Sequence, residues 1–211
     1  MEVECQASYR GLYFEGAKTF VIADLHLNRR RPPSHVDVQY PKTEHAALQT
    51  RVTTAIELLP SVKRLVINGD LFNGAPLTEE DTSFFADIPV DSIVGIHGNH
   101  EDNVGINLDT VESVTDVGDE YMFTQNGNSV YCTHGHTEKS LDRNLNIIGH
   151  FHPETVDGTP CYLIGEQDKT VVLPAFSNIV NGTTKEALSS FQDATLTDLE
   201  KYKEIPSTYD I

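Results

Sequence analysis

The stretch VGIHGNHE, residues 94–101, joins an apolar run directly to a glycine and three polar side chains. The run is typical of a buried β-strand, and the glycine lets the backbone turn sharply where the strand ends. The amide of Asn99, the imidazole of His100 and the carboxylate of Glu101 would then lie at the carboxyl end of one strand. One stretch of this kind is a weak signal, so its meaning depends on how the other strands end.

Four more apolar runs end in the same way. Groups able to bind metal follow them at Asp24 and His26, at Asp70 and Asn73, at His134 and His136, and at His150 and His152. In open α/β sheets, ligands bind in the crevice beyond the carboxyl ends of the strands. We therefore expect five strand ends to deliver their side chains to one place.

Short apolar runs alternate with helical or loop stretches, which indicates an α/β layered domain with antiparallel hairpins in its second half. Asn126-Gly127-Asn128 is typical of a hairpin turn. Helices are predicted over 41–59, which ends before Pro60, over 78–86 and near 185–191. The predicted strands are 18–24, 64–70, 91–97, 121–125, 129–134, 145–150, 160–165 and 170–176.

Composition sets the class of protein. With 211 residues, 38% of them hydrophobic, we expect a single globular domain over 1–211. The sequence lacks an apolar run of about 18 residues that would predict a membrane span, and its start does not resemble a secretory signal.

Cys132 and Cys161 are predicted core residues, and with Cys5 they suggest neither a disulfide framework nor a zinc–thiolate site. These features favour a reducing cytoplasm.

Charge gives two opposing indications about partners. Acidic residues outnumber basic ones 32 to 15, for a formal net charge of −17, which disfavours broad non-specific binding of nucleic acid. Three of the seven arginines nevertheless lie in RRRPP, residues 29–33, directly after the first metal motif. Arg29 and Arg30 could form a positive lip that attracts phosphate groups or a nucleic-acid end. The alternative is a solvated loop whose charges offset nearby acids.

The donor set is chemically specific. It offers carboxylates, imidazoles and one amide without thiolates, which suits Mn, Fe, Zn or Co better than calcium or copper(I). It also contains too many ligands for one tetrahedral ion, whereas two ions about 3.5–4 Å apart can clamp both oxygens in phosphate ester hydrolysis. Some alternatives stay open, since Asp24 and Asp70 could cap the helices that follow their strands, and Asn73 could be a turn residue.

The motif order D-x-H, G-D-x-x-N, G-N-H-E, H-G and G-H-x-H resembles the calcineurin-like metallophosphoesterase superfamily. All five motifs lie between residues 24 and 152. LPAFSNIVNG, residues 173–182, resembles the LPAF stretch of its small single-domain branch, which includes ligase-associated DNA-repair phosphoesterases and archaeal relatives. The resemblance implies a four-layer α-β-β-α sandwich, in which two mixed sheets are flanked by helices.

The resemblance also implies roles. Two divalent ions, Mn²⁺ in the first place and otherwise Fe, Zn, Co or Ni, would activate a water that attacks phosphorus. His100 would donate a proton to the leaving oxygen or stabilise charge there, and Glu101 would orient His100. The first ion would be held by Asp24, His26 and His152, the second by Asn99, His134 and His150, with Asp70 bridging. The expected substrate contacts are Arg29, Arg30, Asn73 and His136.

We therefore expect a metal-dependent phosphoesterase acting on a phosphodiester or a phosphomonoester, with nucleotides or nucleic-acid ends as candidate substrates. A repair-linked nuclease is the alternative, although only 59 residues follow His152, which leaves little room for a DNA-positioning capping domain.

The arginine that protein phosphatases of this superfamily carry after the second motif is missing from GDLFNGA, which argues against protein dephosphorylation. A scaffold without turnover is disfavoured because every motif ligand and His100 are present. An H-x-H-x-D-H run, which a metallo-β-lactamase-type hydrolase needs, does not occur.

Overall fold

The computed structural model describes residues 5–29, 42–74, 76–136, 144–167, 169–190 and 201–207. The first sheet has six strands, and their order across the sheet follows the chain. They are β1 (Gln6–Ser8), β2 (Gly11–Phe14), β3 (Thr19–Ile22), β4 (Arg64–Asn68), β5 (Ser92–Ile96) and β6 (Val114–Asp116). Strands β3 to β6 are parallel, whereas β1 and β2 pair antiparallel at one edge. The carboxyl ends of β3, β4 and β5 therefore lie side by side.

The second sheet also has six strands. They are β7 (Glu120–Gln125), β8 (Asn128–Thr133), β9 (Leu145–Ile148), β11 (Cys161–Gly165), β12 (Thr170–Val172) and β14 (Tyr202–Pro206). Their order is β14-β11-β12-β9-β8-β7, and β8, β9 and β12 are mutually parallel. A short ladder joins β10 (Pro153–Glu154) in parallel to β13 (Thr183–Thr184).

The helices are short apart from the first. They are α1 (Lys42–Leu58), α2 (Glu79–Ser83), α3 (Asn99–Val104) and α4 (Lys185–Ser190), with a 3-10 turn at Leu108–Thr110. Helix α2 begins with a capping box, in which Thr78 and Asp81 satisfy each other's backbone N–H groups. Within the ranges that the structure covers, every helix is too short or too polar to cross a membrane.

Three apolar clusters separate four layers. On β3, Phe20 and Ile22 face the cluster shared with α1, whereas Val21 faces the cluster between the two sheets, as strand alternation requires. The outer face of the second sheet packs on α4 through Leu163 and Leu188. The layers are helix, sheet, sheet and helix, which confirms the expected architecture.

The secondary structure agrees with the sequence where local signals are strong. All eight predicted strands are present, although the last ends at Val172 instead of continuing to residue 176. Asn126 and Gly127 both have positive φ and connect paired strands in a two-residue hairpin. Cys132 and Cys161 are buried, as predicted. The ends of two predicted helices, at residues 41 and 191, lie outside the described residues.

Candidate active site

The carboxyl ends of strands from both sheets meet at one site. The first sheet contributes residues that follow β3, β4 and β5, and the second contributes residues that follow β8 and β9. This convergence is what parallel strands produce when their sheets pack face to face. The structure thereby brings together six of the seven predicted metal ligands, which are Asp24, His26, Asp70, His134, His150 and His152; the seventh, Asn99, begins α3 directly after Gly98, whose backbone lies against Asp70.

Four of these residues form a compact donor group. One ligand atom from each of Asp24, His26, Asp70 and His152 lies within 4.8 Å of the others. Asp24 Oδ1 is 3.1 Å from His152 Nε2, and His26 Nε2 is 3.3 Å from the same nitrogen. His26 Nε2 lies 3.6 Å from Asp70 Oδ2. We call these four residues the first donor group.

Asp70 also lies beside His134 and His150, and we call these three residues together with Asn99, which was predicted to join them, the second donor group. Asp70 Oδ2 lies 3.4 Å from Nε2 of His134, and the rings of His134 and His150 are 5.1 Å apart between centroids. Asn99 Oδ1 and His134 Nε2 are buried, and neither has a hydrogen-bond partner within the described part of the chain. Because buried polar atoms are normally satisfied, these two atoms call for a ligand such as a cation.

Backbone carbonyls fix the tautomers of two histidines. His134 Nδ1 lies 2.9 Å from the carbonyl oxygen of Asn68, and His152 Nδ1 lies 3.4 Å from that of Asn181. A carbonyl can only accept, so each Nδ1 carries the proton and donates it. In the neutral form of each ring, Nε2 has its lone pair directed toward the carboxylates, which is the arrangement found at metal-binding histidines.

Five of the seven predicted ligands have a left-handed backbone conformation. Their φ values are 59° for Asp24, 47° for His26, 50° for Asp70, 70° for His150 and 44° for His152. Positive φ is uncommon for residues other than glycine. Such conformations are strained and cluster at functional sites, where the surrounding structure enforces them. The strand ends therefore bend sharply in order to aim their side chains at one point.

Two glycines are required by close approach to the ligands. A Cβ atom on Gly69, which has a φ of +85°, would lie 2.1 Å from His134 Nδ1. A Cβ atom on Gly98 would lie 2.1 Å from Asp70 Oδ1. The backbone thus lies directly against two of the ligand side chains, and any larger residue would displace them.

Burial and mutual charge set the ionisation of the metal-free site. Burial lowers the pKa of His26 and of His150 to about 4, so both imidazoles are neutral at neutral pH. Burial opposes ionisation of Asp24, but the nearby His152 and His134 hold the pKa of this carboxyl below its ordinary value. For His134, burial is outweighed by Asp70, which raises the pKa to about 9. The positive charge of a protonated His134 thus partly balances the negative charge of the buried carboxylates. Bound cations would take over that role.

His100 lies at the open side of the site. Its Nδ1 is 3.2 Å from the carbonyl oxygen of Asn73, and its Nε2 is 3.9 Å from Asp70 Oδ2. The side chain is 35% exposed, whereas Asp70 is buried. The Asn73 carbonyl fixes the ring, so Nε2 faces both the carboxylates and the solvent, where a leaving group would depart.

Glu101 does not contact His100 in the way the resemblance implied, and we correct that expectation. Its side chain is fully buried and accepts backbone N–H bonds from Gly98 at 2.8 Å, Asp70 at 3.1 Å and Phe72 at 2.8 Å. Burial, followed by the charge of Asp70, raises the pKa of Glu101 to about 7 in the metal-free protein. Glu101 therefore ties the end of β4 to the start of α3, and the ring of His100 is oriented by the Asn73 carbonyl instead.

A family model described as calcineurin-like phosphoesterase matches residues 17–204. The chain belongs to the calcineurin-like phosphoesterase family. A comparison with curated proteins gives no match.

Several solved structures are similar to this chain, and the first of them shares its fold. A nuclease, MPE from Pseudomonas putida, is 18% identical with a TM-score of 0.63, covering 86% of this chain and 90% of that one. YfcE, a phosphoesterase from E. coli, is 12% identical over 77% of this chain and 83% of that one, with a TM-score of 0.44. Zinc-bound Vps29 from Entamoeba histolytica is 15% identical over 78% and 79% of the two chains, with a TM-score of 0.39.

Of the residues predicted to contact the substrate, His136 lies beside the second donor group and Arg29 lines a nearby cleft. The ring of His136 lies 5.4 Å from that of His134, and its Nε2 is 3.0 Å from Asp102 Oδ2, which places it beside the second donor group. Arg29 donates its backbone N–H to the carbonyl of His26 and lines a cleft that also includes Arg51. Arg30 lies outside the described residues.

The alternatives that the sequence left open are also resolved in part. The N–H of Asn73 donates to the carbonyl of Leu27 and to Asn28 Oδ1, which ties the chain after β4 to the chain after β3, and the role of its side chain stays a prediction. Thr78 caps α2, so a cap by Asp70 on the helix after its own strand is wrong. The carboxylate of Asp24 instead accepts the N–H of His150 at 3.2 Å.

Sequence reasoning missed the buried Asn68, which links the two sheets behind the site. The side-chain amide of Asn68 donates to the backbone carbonyls of Thr133 at 3.0 Å and Ile147 at 3.2 Å. The backbone carbonyl of Asn68 accepts from His134 Nδ1. The available signal was a polar residue at the end of the apolar run RLVIN. An asparagine that is completely buried needs partners, and these lie on β8 and β9.

Proposed function

We propose that this chain is a phosphoesterase that hydrolyses phosphate esters with two divalent cations. The observation that carries the proposal is the sharing of Asp70 between two donor groups. Its Oδ2 lies 3.6 Å from His26 Nε2 of the first group and 3.4 Å from His134 Nε2 of the second. A single carboxylate oxygen so close to ligands of both groups is suited to bridge two cations.

The residues fit such cations chemically. The donor set consists of carboxylate, imidazole and amide groups, which suits Mn²⁺, Fe, Zn, Co or Ni. Asn99 Oδ1 and His134 Nε2 are buried without hydrogen-bond partners in the described ranges, and a cation would satisfy both. The first donor group would hold one cation, and the second group would hold the other.

When bound, the cations would polarise the phosphoryl oxygens and lower the pKa of a water nucleophile. The chain's own residues would do the remaining work. Asp24 and Asp70 supply buried negative charge, and the carbonyls of Asn68 and Asn181 hold His134 and His152 with Nε2 inward. In its doubly protonated form, His100 would keep Nδ1–H on the Asn73 carbonyl and donate its Nε2 proton to the departing oxygen, leaving a neutral imidazole.

Hydrolysis of bis-p-nitrophenyl phosphate and p-nitrophenyl phosphate, with and without Mn²⁺, tests this proposal. The expected result is Mn²⁺-dependent cleavage of one or both esters, which Asp70→Asn abolishes because the shared charge is lost. Cleavage of the monoester alone would direct the search to phosphorylated small molecules. Protein that contains Mn²⁺ but cleaves neither ester, nor a panel of nucleotides, would contradict the proposal and favour a scaffold.

A nuclease acting on nucleic-acid ends is a second candidate. Its support is Arg29, three residues after the ligand His26 and the first residue of the RRRPP cluster. A nuclease, MPE, also shares the fold. The net charge of −17 should confine such action to short or frayed ends. Cleavage of end-labelled oligonucleotides that weakens steeply with added salt would support this candidate, whereas equal rates with mononucleotide esters would exclude a role for the polymer.

A further inference from the structure

The segment 175–177, which follows β12, is tied by its backbone to the end of β3. The N–H of Phe176 donates to the carbonyl of Ala23 at 2.9 Å, and the N–H of Ser177 donates to the carbonyl of Asp24 at 3.3 Å. All three residues of the segment are buried, and the ring of Phe176 lies in the core beneath α1. The segment is therefore a fixed support for the backbone that carries Asp24.

Two arginines hold the other side of this segment. Arg10 Nη1 donates to the carbonyls of Ala175 and Ser177 at 3.4 Å each, and Arg51 Nη1 donates to the carbonyl of Phe176 at 3.2 Å. Arg10 comes from the β1–β2 turn and is only 6% exposed, whereas Arg51 lies on α1. Three successive carbonyls thus receive guanidinium donors, and hydrogen bonds from charged groups are stronger than neutral ones.

The support matters because Asp24 is strained. Its φ is 59°, and a residue other than glycine keeps such a conformation only when its surroundings enforce it. The N–H of Asp24 donates to the carbonyl of Gly69 at 3.2 Å, and its carbonyl accepts from Ser177. Both polar groups of its backbone are therefore fixed, one by Gly69, directly after β4, and the other by the segment that the arginines hold.

The same stretch of chain reaches a second member of the first donor group. The carbonyl of Asn181 lies 3.4 Å from His152 Nδ1, and the N–H of Thr183 donates to the carbonyl of His152 at 2.9 Å. Two of the four residues in the first donor group are thus oriented by residues 175–183. In the second donor group, His134 is held by Asn68 instead.

We propose that Arg51 and Arg10 are positioning residues for the first donor group. They act through the carbonyls of 175–177, which fix the strained backbone of Asp24. The inference rests on the proposed function, since it concerns Asp24 as a metal ligand. It assigns the two arginines chiefly to the assembly of the first cation site, since they reach the second donor group through the N–H of His150, which the Asp24 carboxylate accepts.

Arg51→Met tests the proposal, because it removes the donors while keeping an extended side chain on a helix surface. We expect Mn²⁺ titration calorimetry to show two sites in the wild type, one of them weakened about 10-fold in the variant, as for other residues that orient metal ligands. Arg51→Lys, which keeps a charged donor, should restore part of the affinity. The visible absorption of bound Co²⁺ should change for one of the two ions.

Arg64→Met is a matched control. Arg64 begins β4 at the end of the sheet opposite the site, and its guanidinium lies 6.0 Å from the ring centroid of Tyr121. The control removes the same charge and should bind both ions as the wild type does. Arg10→Met is the second test variant, with the same expected effect on one site, provided that its melting temperature in chelator shows a folded protein.

The outcomes separate this inference from the proposed function. Wild-type protein that binds two Mn²⁺ ions, with Arg51→Met equal to it, would overturn the positioning role alone. Equal weakening of both sites, together with a lower melting temperature in chelator, would overturn it as well, because that pattern indicates general destabilisation. Wild-type protein that binds no divalent cation would overturn the proposed function and this inference with it.

Discussion

The carboxylate of Asp70 accepts the backbone N–H of His100 at 3.1 Å through Oδ1, while its Oδ2 faces the histidines of both donor groups. One oxygen thus caps the first turn of α3, and the other is available to cations. The proposed bridging ligand and the residue proposed as general acid are therefore joined directly by a hydrogen bond. Movement of the carboxylate would also move the start of the helix that carries His100.

The two functions of Asp70 can be separated by substitution. Asp70→Asn keeps an oxygen that can cap α3 but loses the charge, whereas Asp70→Ala loses both. We expect both variants to lose Mn²⁺ binding, and Asp70→Ala to be less stable than Asp70→Asn by about 1 kcal/mol or more, the value of a helix cap. Urea unfolding in chelator measures the difference. Identical stabilities would show that the 3.1 Å contact does not support the helix.

Replacing His100 should affect the reaction without affecting metal uptake. His100→Ala removes the proposed proton donor, and we expect kcat to fall by about 10²–10⁴-fold with Mn²⁺ stoichiometry unchanged. The loss should be greater for an alkyl ester than for a nitrophenyl ester, because an alkoxide leaving group needs the proton more.

His45→Ala is a control for this prediction, since His45 lies on α1 and its Nε2 pairs with Asp81 at 3.3 Å. It should leave kcat close to that of the wild type. A His100→Ala loss that is the same for both leaving groups would argue against general acid catalysis and for electrostatic stabilisation.

The pH dependence of stability should reveal Glu101 in the metal-free protein. Burial, and then the charge of Asp70, raises its pKa from 4.5 to about 7. The folded chain keeps a proton that the unfolded chain releases in this interval, so the contribution of Glu101 is complete below pH 4.5 and is lost as the pH rises through about 7. The free energy of unfolding of the wild type minus that of Glu101→Gln should fall by up to about 3 kcal/mol over the interval.

Urea unfolding in chelator, at several pH values between 4.5 and 8, checks this difference. His26 and His150 contribute with the opposite sign, because burial depresses their pKa values to about 4 and their stability is lost as the pH falls. That contribution is common to both proteins and cancels in the subtraction. A difference that does not vary with pH would show that Glu101 is ionised throughout, held by its three N–H donors.

Gly98→Ala should disable the site by steric displacement. The added Cβ would lie 2.1 Å from Asp70 Oδ1 and 2.4 Å from the Asp70 backbone nitrogen, and backbone cannot move aside as a flexible side chain can. We expect Mn²⁺ affinity and activity to fall at least about 10-fold, as for other residues that orient metal ligands. Gly74→Ala is the control, because a Cβ there would meet no atom within 4 Å among the described residues. Equal behaviour of the two variants would contradict the structure around Gly98.

The sequence predicted eight of the fourteen described strands and the convergence of their ends, because both are marked by local patterns. An apolar run followed at once by Asp or His is visible in a short window, and parallel strands bring such ends to one edge. The β1–β2 hairpin was missed for a local reason as well. Its turn uses Tyr9 and Arg10 with φ values of 50° and 62°, so the usual Asn-Gly signal is absent.

The supports of the site could not be predicted because they are long-range contacts to backbone atoms. Glu101 accepts from the N–H of Phe72, and His100 faces the carbonyl of Asn73. A backbone N–H or carbonyl has the same chemistry at every position, so no residue type marks it as a partner. Helix α3 was missed because its residues NHEDNV lack apolar spacing, and it depends on Asp70 and Glu101 for its first turn.

The proposed cations would also connect the two layers of the protein. Each donor group draws on both sheets, since His152 joins residues of the first sheet in one group and Asn99 joins His134 and His150 in the other. A cation that binds only the folded chain stabilises it by about 2.7 kcal/mol at 100 times its Kd. Metal supply would then govern the lifetime of the folded chain as well as its turnover. A chain deprived of its cations would then unfold more readily and be more open to proteolysis.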